Sequence, residues 1–213
     1  SATVVGWLQW TVASTLIWLP VLFAATERLR ERRGGRALVV LAAVVAVDVF
    51  AGYPQAMAQA LVVTSAWALA RARGAPRTFL PRYAAAVVLG LGLAAVQLAP
   101  FLEYVRESFV FAYRRQWTPM FTAPLDSATT FLMPDYFGTG KETWGTWQFA
   151  ILTGYAGIVT LAVLPLGVRA AWRRGGGPFF IGLAFVALAL HFGLPGADAL
   201  AQIPGFSLGT NLR

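Results

Sequence analysis

The stretch ALVVLAAVVAVDVFAG, residues 37–52, contains a single charged side chain, Asp48. Similar apolar runs recur along the chain, and each is close to the roughly 20 residues that cross about 30 Å of hydrocarbon. Hydrophobic residues make up 58% of the chain and charged residues 12%, whereas soluble domains have about 25% charged residues. Because so few charges cannot cover a soluble body of 213 residues, the composition predicts a membrane protein.

Apolar segments of this kind are predicted to cross the membrane as helices, because backbone groups in lipid must pair within their own segment. We predict an all-α polytopic fold with about six transmembrane helices, at 3–25, 37–52, 55–71, 83–102, 149–170 and 178–194. Residues 103–148 join the fourth and fifth helices as a periplasmic or extracellular loop. Because a structureless loop of about 46 residues would be unusual, we expect it to be partly folded, with an interfacial helix, and functional. Residues 195–213 form an outer segment, and we expect both ends to be cut from a longer protein.

Arginine clusters predict the orientation of the helices. They follow the first, third and fifth segments, and basic-poor connections alternate with them, so they are predicted to face the cytoplasm. Both chain ends then lie outside. The net charge of +8 is explained by this topology, and we predict no nucleic-acid partner. The clusters contain Arg28, Arg30, Arg32, Arg33 and Arg36, then Arg71, Arg73, Arg77 and Arg82, then Arg169, Arg173 and Arg174.

Asp48 is an ionisable residue inside a predicted span, about one turn before Gly52. Burying a carboxylate in a membrane costs a few kcal/mol, so such residues usually serve a function. Two interpretations stay open. Asp48 lines a functional cavity, or it forms hydrogen bonds at the interface with Tyr53 or Gln55.

The segment after Pro100 is predicted to form an amphipathic helix at the membrane surface. One face would carry Glu103, Arg106, Glu107 and Arg114, whose spacings fit a helix, and the other face would carry Phe101, Leu102, Val105 and Phe109. The charged face is either a solvated, ion-paired surface or a phosphate site. In the second case Arg106, Arg114 and Arg115 would hold a lipid phosphate, since the planar guanidinium group binds phosphate through two hydrogen bonds.

Further along the loop, Asp135 is a candidate base or ligand for sugar hydroxyls, and Tyr136 is a candidate for stacking on a sugar. Tyrosine and tryptophan are also enriched at membrane interfaces regardless of function. The chain has no cysteine and its one histidine is His191, so we predict no metal site. No cofactor is identified, and nothing in the chain supports a divalent metal.

Several short motifs, taken in order, resemble the YfhO-like bacterial membrane proteins, a family that looks related to the C-fold glycosyltransferases. The motifs are Trp18-Leu19-Pro20, Gly52-Tyr53-Pro54-Gln55, Gln97-Leu98-Ala99-Pro100, Pro134-Asp135-Tyr136-Phe137-Gly138, Gly154-Tyr155-Ala156-Gly157-Ile158 and Ile203-Pro204-Gly205-Phe206.

The resemblance implies an enzyme in the bacterial cytoplasmic membrane. It would transfer a sugar from a polyprenyl-phosphate donor to a glycan or polymer acceptor on the outer face. Arg106, Arg114 and Arg115 would then bind the donor phosphate. The residues expected to line the cavity are Asp48, Tyr53, Gln55, Gln97, Glu103, Asp135 and Tyr136.

This chain departs from the family pattern at two positions. The family commonly has His where Tyr53 stands, and an acidic residue is missing from positions 150–153. Enzymes of this class usually carry their catalytic carboxylate on the first outer loop, so we expect that residue to lie upstream of this chain.

Two alternatives remain at this point. A transporter or flippase of a lipid-linked or small polar solute would use broken helices and charges within the membrane, of which the sequence offers only Asp48. A non-catalytic scaffold subunit would lack a polar pocket on its outer side.

Overall fold

A computed structural model describes residues 11–32, 34–72, 76–108, 123–133, 136–139, 142–143, 155–173 and 175–195. The chain forms two compact units, one within residues 10–115 and the other taken from residue 116 onward. Helices account for nearly all of the regular structure, which confirms the predicted all-α class.

The first unit is a helical bundle with short connections. The first two helices together form one 21-residue helix over Thr11–Glu31, interrupted at Ile17 and Trp18 just before Pro20. Proline has no N–H to donate, so it fits best in the first turn of a helix, where Pro20 stands in α2. The six helices are α1 (Thr11–Leu16), α2 (Leu19–Glu31), α3 (Gly35–Phe50), α4 (Pro54–Arg71), α5 (Pro76–Leu93) and α6 (Ala95–Glu107).

Helix α3 is the centre of this bundle and packs most extensively against α5, then against α2. The approach of α3 to α5 depends on Gly90, because a Cβ there would lie 2.6 Å from the Ala42 carbonyl oxygen and 2.7 Å from Val45 Cβ. The buried core consists mainly of small and branched residues from α2, α3, α4 and α5, including Leu22, Leu29, Leu41, Val45, Ala68, Phe79 and Ala86.

The fourth predicted helix, 83–102, is wrong as a single span. The structure has two helices there, α5 and α6, bent by 79° around Ala94. Gly90 and Gly92 are weak helix formers, and Pro100 cannot donate a hydrogen bond to the carbonyl four residues earlier. The helix is therefore weakened over this whole stretch, and α6 continues as far as Glu107, beyond the predicted boundary at residue 102.

The number of helices long and apolar enough to span a membrane is also lower than predicted. Within the described ranges, Thr11–Glu31 meets both criteria, and α5 with α6 meets them only as a bent pair, whereas about six spans were predicted. Helix α3 has 16 residues and rises only about 24 Å. Helix α4 is long enough, but Gln55, Gln59 and Ser65 reduce its hydropathy.

The second unit contains a helical hairpin formed by α7 (Ile158–Trp172) and α8 (Gly177–His191). Residues 149–154 of the predicted fifth span lie outside the described residues. A 3-10 helix at Leu125–Phe131 packs beside the end of α8, where the Ala123 N–H donates to the His191 carbonyl at 3.0 Å. Two short strands of this unit, β1 (Gly138–Thr139) and β2 (Glu142–Thr143), pair in antiparallel fashion.

Candidate functional site

Asp48 lies in the last turn of α3 and is fully buried. Neither carboxylate oxygen has a hydrogen-bond partner within the part of the chain that the structure describes. A buried carboxylate without a partner is costly, since its hydration is lost and nothing replaces it. Such a group is stable only when a proton, a cation or a polar ligand occupies the space next to it.

The surroundings of Asp48 are defined by the tight turn that follows α3. Gly52 has a φ of +89°, a conformation that favours glycine, and a Cβ there would lie 3.6 Å from Thr11 Cγ2. Thr15 lies one turn after Thr11 in the same helix. Thr15 is fully buried, and its hydroxyl donates to the Thr11 carbonyl at 3.0 Å.

Two other predicted cavity residues follow the same turn. The Tyr53 hydroxyl donates to Gln55 Oε1 at 3.4 Å, and both side chains are half-buried. Tyr53 therefore bonds to its neighbour in the turn and not to Asp48. The predicted hydrogen bond from Asp48 to Tyr53 or Gln55 is absent from the described structure.

The break between α5 and α6 lies at the same end of the bundle. Ala94 is fully buried in a cluster with Ala46, Val49 and Met57, the first two of which flank Asp48 in α3. Gln97 follows in the first turn of α6 and is half-buried. The fold therefore places Asp48, Tyr53, Gln55 and Gln97 at one end of the first unit, which we call the Asp48 end.

Glu103 and Arg106 lie further along α6, and both are exposed. Arg106 is nine residues after Gln97, which is about 13.5 Å along the helix axis. None of the ion pairs among the described residues involves Glu103, Arg106 or Glu107, and both interpretations of the charged face stay predictions. Helix α6 ends at Glu107, and the fourth residue of the predicted charged face, Arg114, is not among the described residues.

The remaining predicted residues are placed elsewhere or not described. Arg114, Arg115 and Asp135 lie outside the described residues. Tyr136 belongs to the second unit, where its ring meets Phe137 edge-to-face at 5.1 Å. His191 packs against Phe192 in the same unit, and the described ranges contain no group of three His, Cys, Asp or Glu side chains that could hold a metal.

The opposite end of the first unit carries an ion-pair cluster that the sequence did not reveal. Glu27 of α2 accepts from Arg71 Nε of α4 at 2.7 Å and from Arg30 Nε at 2.8 Å. Arg71 also lies over the Trp67 ring, 5.3 Å from its centroid. Glu27 and Arg71 are 44 residues apart, so only the packing of α2 against α4 brings them together.

Arg82 joins the two arginine-rich connections of this unit. Its guanidinium donates to the carbonyl oxygens of Leu29 at 3.3 Å, Arg32 at 3.1 Å and Gly34 at 3.1 Å. The connection from α2 to α3 and the start of α5 therefore lie at the same end of the bundle. We call this the arginine end, and it is opposite to the Asp48 end.

Comparison with known protein families, with curated proteins and with solved structures finds no match to this chain.

Proposed function

We propose that this chain is part of a membrane enzyme that transfers a sugar from a polyprenyl-phosphate donor to an acceptor on the outer face of the bacterial cytoplasmic membrane. The observation that carries the proposal is the buried, unpartnered carboxylate of Asp48, with Gln55 and Gln97 at the same end of the bundle. The resemblance to the YfhO-like family supports the choice of substrate.

A multi-pass location in the bilayer is supported by the apolar surfaces of the helices. Helix α7 has no buried residue, and Val159, Leu166 and Trp172 are each more than half exposed. A helix that is apolar all round needs lipid or protein against it. We propose about six crossings, with the shorter helices accommodated by local thinning of the bilayer.

The orientation is supported by the arginine end. Both arginine-rich connections of the first unit meet there through Arg82, as the excess of positive charge on the cytoplasmic side requires. The Asp48 end then faces outward, where a polyprenyl-phosphate sugar would present its headgroup.

In the proposed chemistry, Asp48 and Arg106 have different roles. Asp48 would accept hydrogen bonds from donor hydroxyls, and Arg106 would bind the phosphate outside the buried region, because a carboxylate repels a phosphate. The acceptor hydroxyl would lose its proton to a general base and attack the anomeric carbon. The C–O bond to phosphate would break, and polyprenyl phosphate would leave with the electron pair, stabilised by the guanidinium.

The test is release of polyprenyl phosphate from a labelled polyprenyl-phosphate sugar by the purified full-length protein. We expect turnover with the wild type and weaker donor binding in Arg106→Ala, with Arg77→Ala at the arginine end as the matched control. No turnover with any common donor would sink the enzyme proposal, and unchanged donor affinity would remove Arg106 from it.

A second candidate is a transporter of a lipid-linked or small polar solute. The observation that favours it is the 79° break between α5 and α6 at the level of Asp48, since transporters commonly bind substrates where a spanning helix is interrupted. Solute uptake into liposomes without polyprenyl-phosphate release would favour this candidate. If neither sugar transfer nor solute uptake is detected, the non-catalytic scaffold subunit is the remaining candidate.

A further inference from the structure

Three of the arginines at the arginine end lie around the connection between α2 and α3 and have no described partner for their guanidinium groups. Arg28, Arg32 and Arg36 are exposed, and none forms an ion pair or side-chain hydrogen bond with a residue that the structure describes. We call these three residues the Arg32 patch. They lie at the end of α2 and the start of α3, around the connection that Arg82 holds.

The other charges at this end do not neutralise the Arg32 patch. Glu27 is bound by Arg30 and Arg71, and the nearest cation to Glu31 is again Arg30, at 3.6 Å. Seven described arginines stand here against these two glutamates, which leaves five positive charges in excess. The seven are Arg28, Arg30, Arg32, Arg36, Arg71, Arg77 and Arg82.

Apolar surface continues directly from the patch along α3. Val39 is 59% exposed and Val40 is 41% exposed. They follow Arg36 by three and four residues, so the three side chains share one face of the helix. Gly34 and Gly35 leave the connection open, with no atom within 4 Å of where a Cβ would stand at either.

We infer that the Arg32 patch binds the headgroup of an anionic phospholipid, with the acyl chain lying along Val39 and Val40. Guanidinium groups bind phosphate oxygens through paired hydrogen bonds, and an apolar strip one turn away suits the lipid tail. Basic pockets on the cytoplasmic side of membrane proteins take anionic headgroups in this way. The inference rests on the membrane location and orientation proposed above, and on neither of the two activities.

The experiment is native mass spectrometry of the full-length protein in detergent, titrated with dioleoylphosphatidylglycerol or dioleoylphosphatidylcholine. The test variant is Arg32→Gln/Arg36→Gln. The control is Arg169→Gln/Arg173→Gln, which removes the same charge at another exposed, arginine-rich connection. With about a fivefold contribution from each arginine, we expect phosphatidylglycerol to bind roughly 25-fold more weakly to the test variant.

The other measurements decide what kind of site this is. Phosphatidylcholine binding should stay unchanged in both variants, and phosphatidylglycerol binding to the wild type should weaken as salt rises. If the test and control variants lose the same phosphatidylglycerol affinity, general charge attraction explains the binding and the inference is overturned. Displacement of the lipid by inorganic phosphate beyond the effect of chloride at the same ionic strength would also overturn it, because the site would then recognise a free anion.

A third arm separates this inference from the proposed function. The binding assay contains no sugar donor, so phosphatidylglycerol selectivity is measured independently of turnover. If the wild type transfers sugar but binds phosphatidylglycerol no more tightly than phosphatidylcholine, the lipid patch alone is overturned. If the test variant unfolds, two other measurements decide instead. One is the salt dependence of phosphatidylglycerol binding to the wild type. The other is phosphatidylglycerol binding to Arg32→Lys/Arg36→Lys, which keeps both charges.

Discussion

Asp48 is a charged residue in an otherwise apolar stretch of α3. Every neighbour in α3 from Leu38 to Phe50 is apolar, so the local pattern favours an apolar residue at this position. The carboxylate weakens the fold because both oxygens are buried without a described partner. A residue that costs stability in the bundle is best explained by a ligand that it binds.

Replacing Asp48 with Asn tests this explanation. An amide of the same shape carries no charge, so we expect the Asp48→Asn protein to be as stable as the wild type or more stable, by about 1–3 kcal/mol. Sugar transfer should fall at least about tenfold, since one hydrogen bond to a charged group contributes roughly 1.5–3 kcal/mol. Thermal unfolding in detergent and polyprenyl-phosphate release measure the two effects.

Asp126→Asn is the matched control for that substitution. Asp126 is exposed in the 3-10 helix of the second unit, so its replacement should change stability by less than about 0.5 kcal/mol and leave transfer unchanged. A clear loss of stability in Asp48→Asn would show that the carboxylate has a partner in the folded protein. The ligand explanation would then fail.

The packing of α5 against α3 depends on a single glycine. Gly90 and Gly92 are two residues apart in α5, and both weaken the helix to a similar degree. Only Gly90 faces α3, while a Cβ on Gly92 would meet no atom within 4 Å. The two glycines therefore have opposite consequences for stability.

Alanine substitutions at these two glycines should separate packing from helix propensity. Gly90→Ala should destabilise the protein by about 1–3 kcal/mol, because its Cβ would push α5 away from the Ala42 carbonyl and Val45. Gly92→Ala should stabilise it by up to about 1 kcal/mol. Chemical or thermal unfolding compares them. Equal effects of the two substitutions would contradict the close contact of α3 with α5.

The Arg82 clamp is a second prediction at the scale of elements. Arg82→Ala removes three hydrogen bonds from the connection between α2 and α3, and we expect a loss of about 1–2 kcal/mol, reduced by partial exposure. Arg77→Ala is the control, because Arg77 is exposed on the same helix and has no described partner. The comparison uses unfolding midpoints in one detergent, and similar midpoints for both variants would argue against the clamp.

The whole molecule raises the question of which end faces the cytoplasm. The chain has no cysteine, so any introduced thiol is unique. Gly34 lies in the connection at the arginine end, and Glu107 lies exposed at the end of α6, beyond the Asp48 end. Both positions are exposed, so neither substitution disturbs the core.

Thiol labelling in intact cells tests the orientation directly. A membrane-impermeant maleimide should label Glu107→Cys without permeabilisation and Gly34→Cys only after it. This follows from the positive charge of the arginine end, which retains that end in the cytoplasm. The reverse pattern would refute the proposed topology, and labelling of both positions in intact cells would refute a membrane barrier between them.

The sequence alone determined the all-α class, and it pointed to Asp48 as a charged residue in an apolar helix. These features are local, because the 3.6-residue period and the apolar composition of each segment act over neighbouring residues. The resemblance to a family, the substrate and the orientation remain proposals. The predicted boundary between the segments 37–52 and 55–71 also falls at Gly52, where the structure has a turn.

Only the tertiary structure decided which of these residues meet. The pairing of Glu27 with Arg71, the clamp of Arg82 and the contact of Gly90 with α3 join positions far apart in the chain, and no local pattern encodes them. The bend at Ala94 likewise arises where a weakened helix packs against α3. Side-chain contacts between helices depend on the register and angle of packing, which are set by the whole core and not by any one segment.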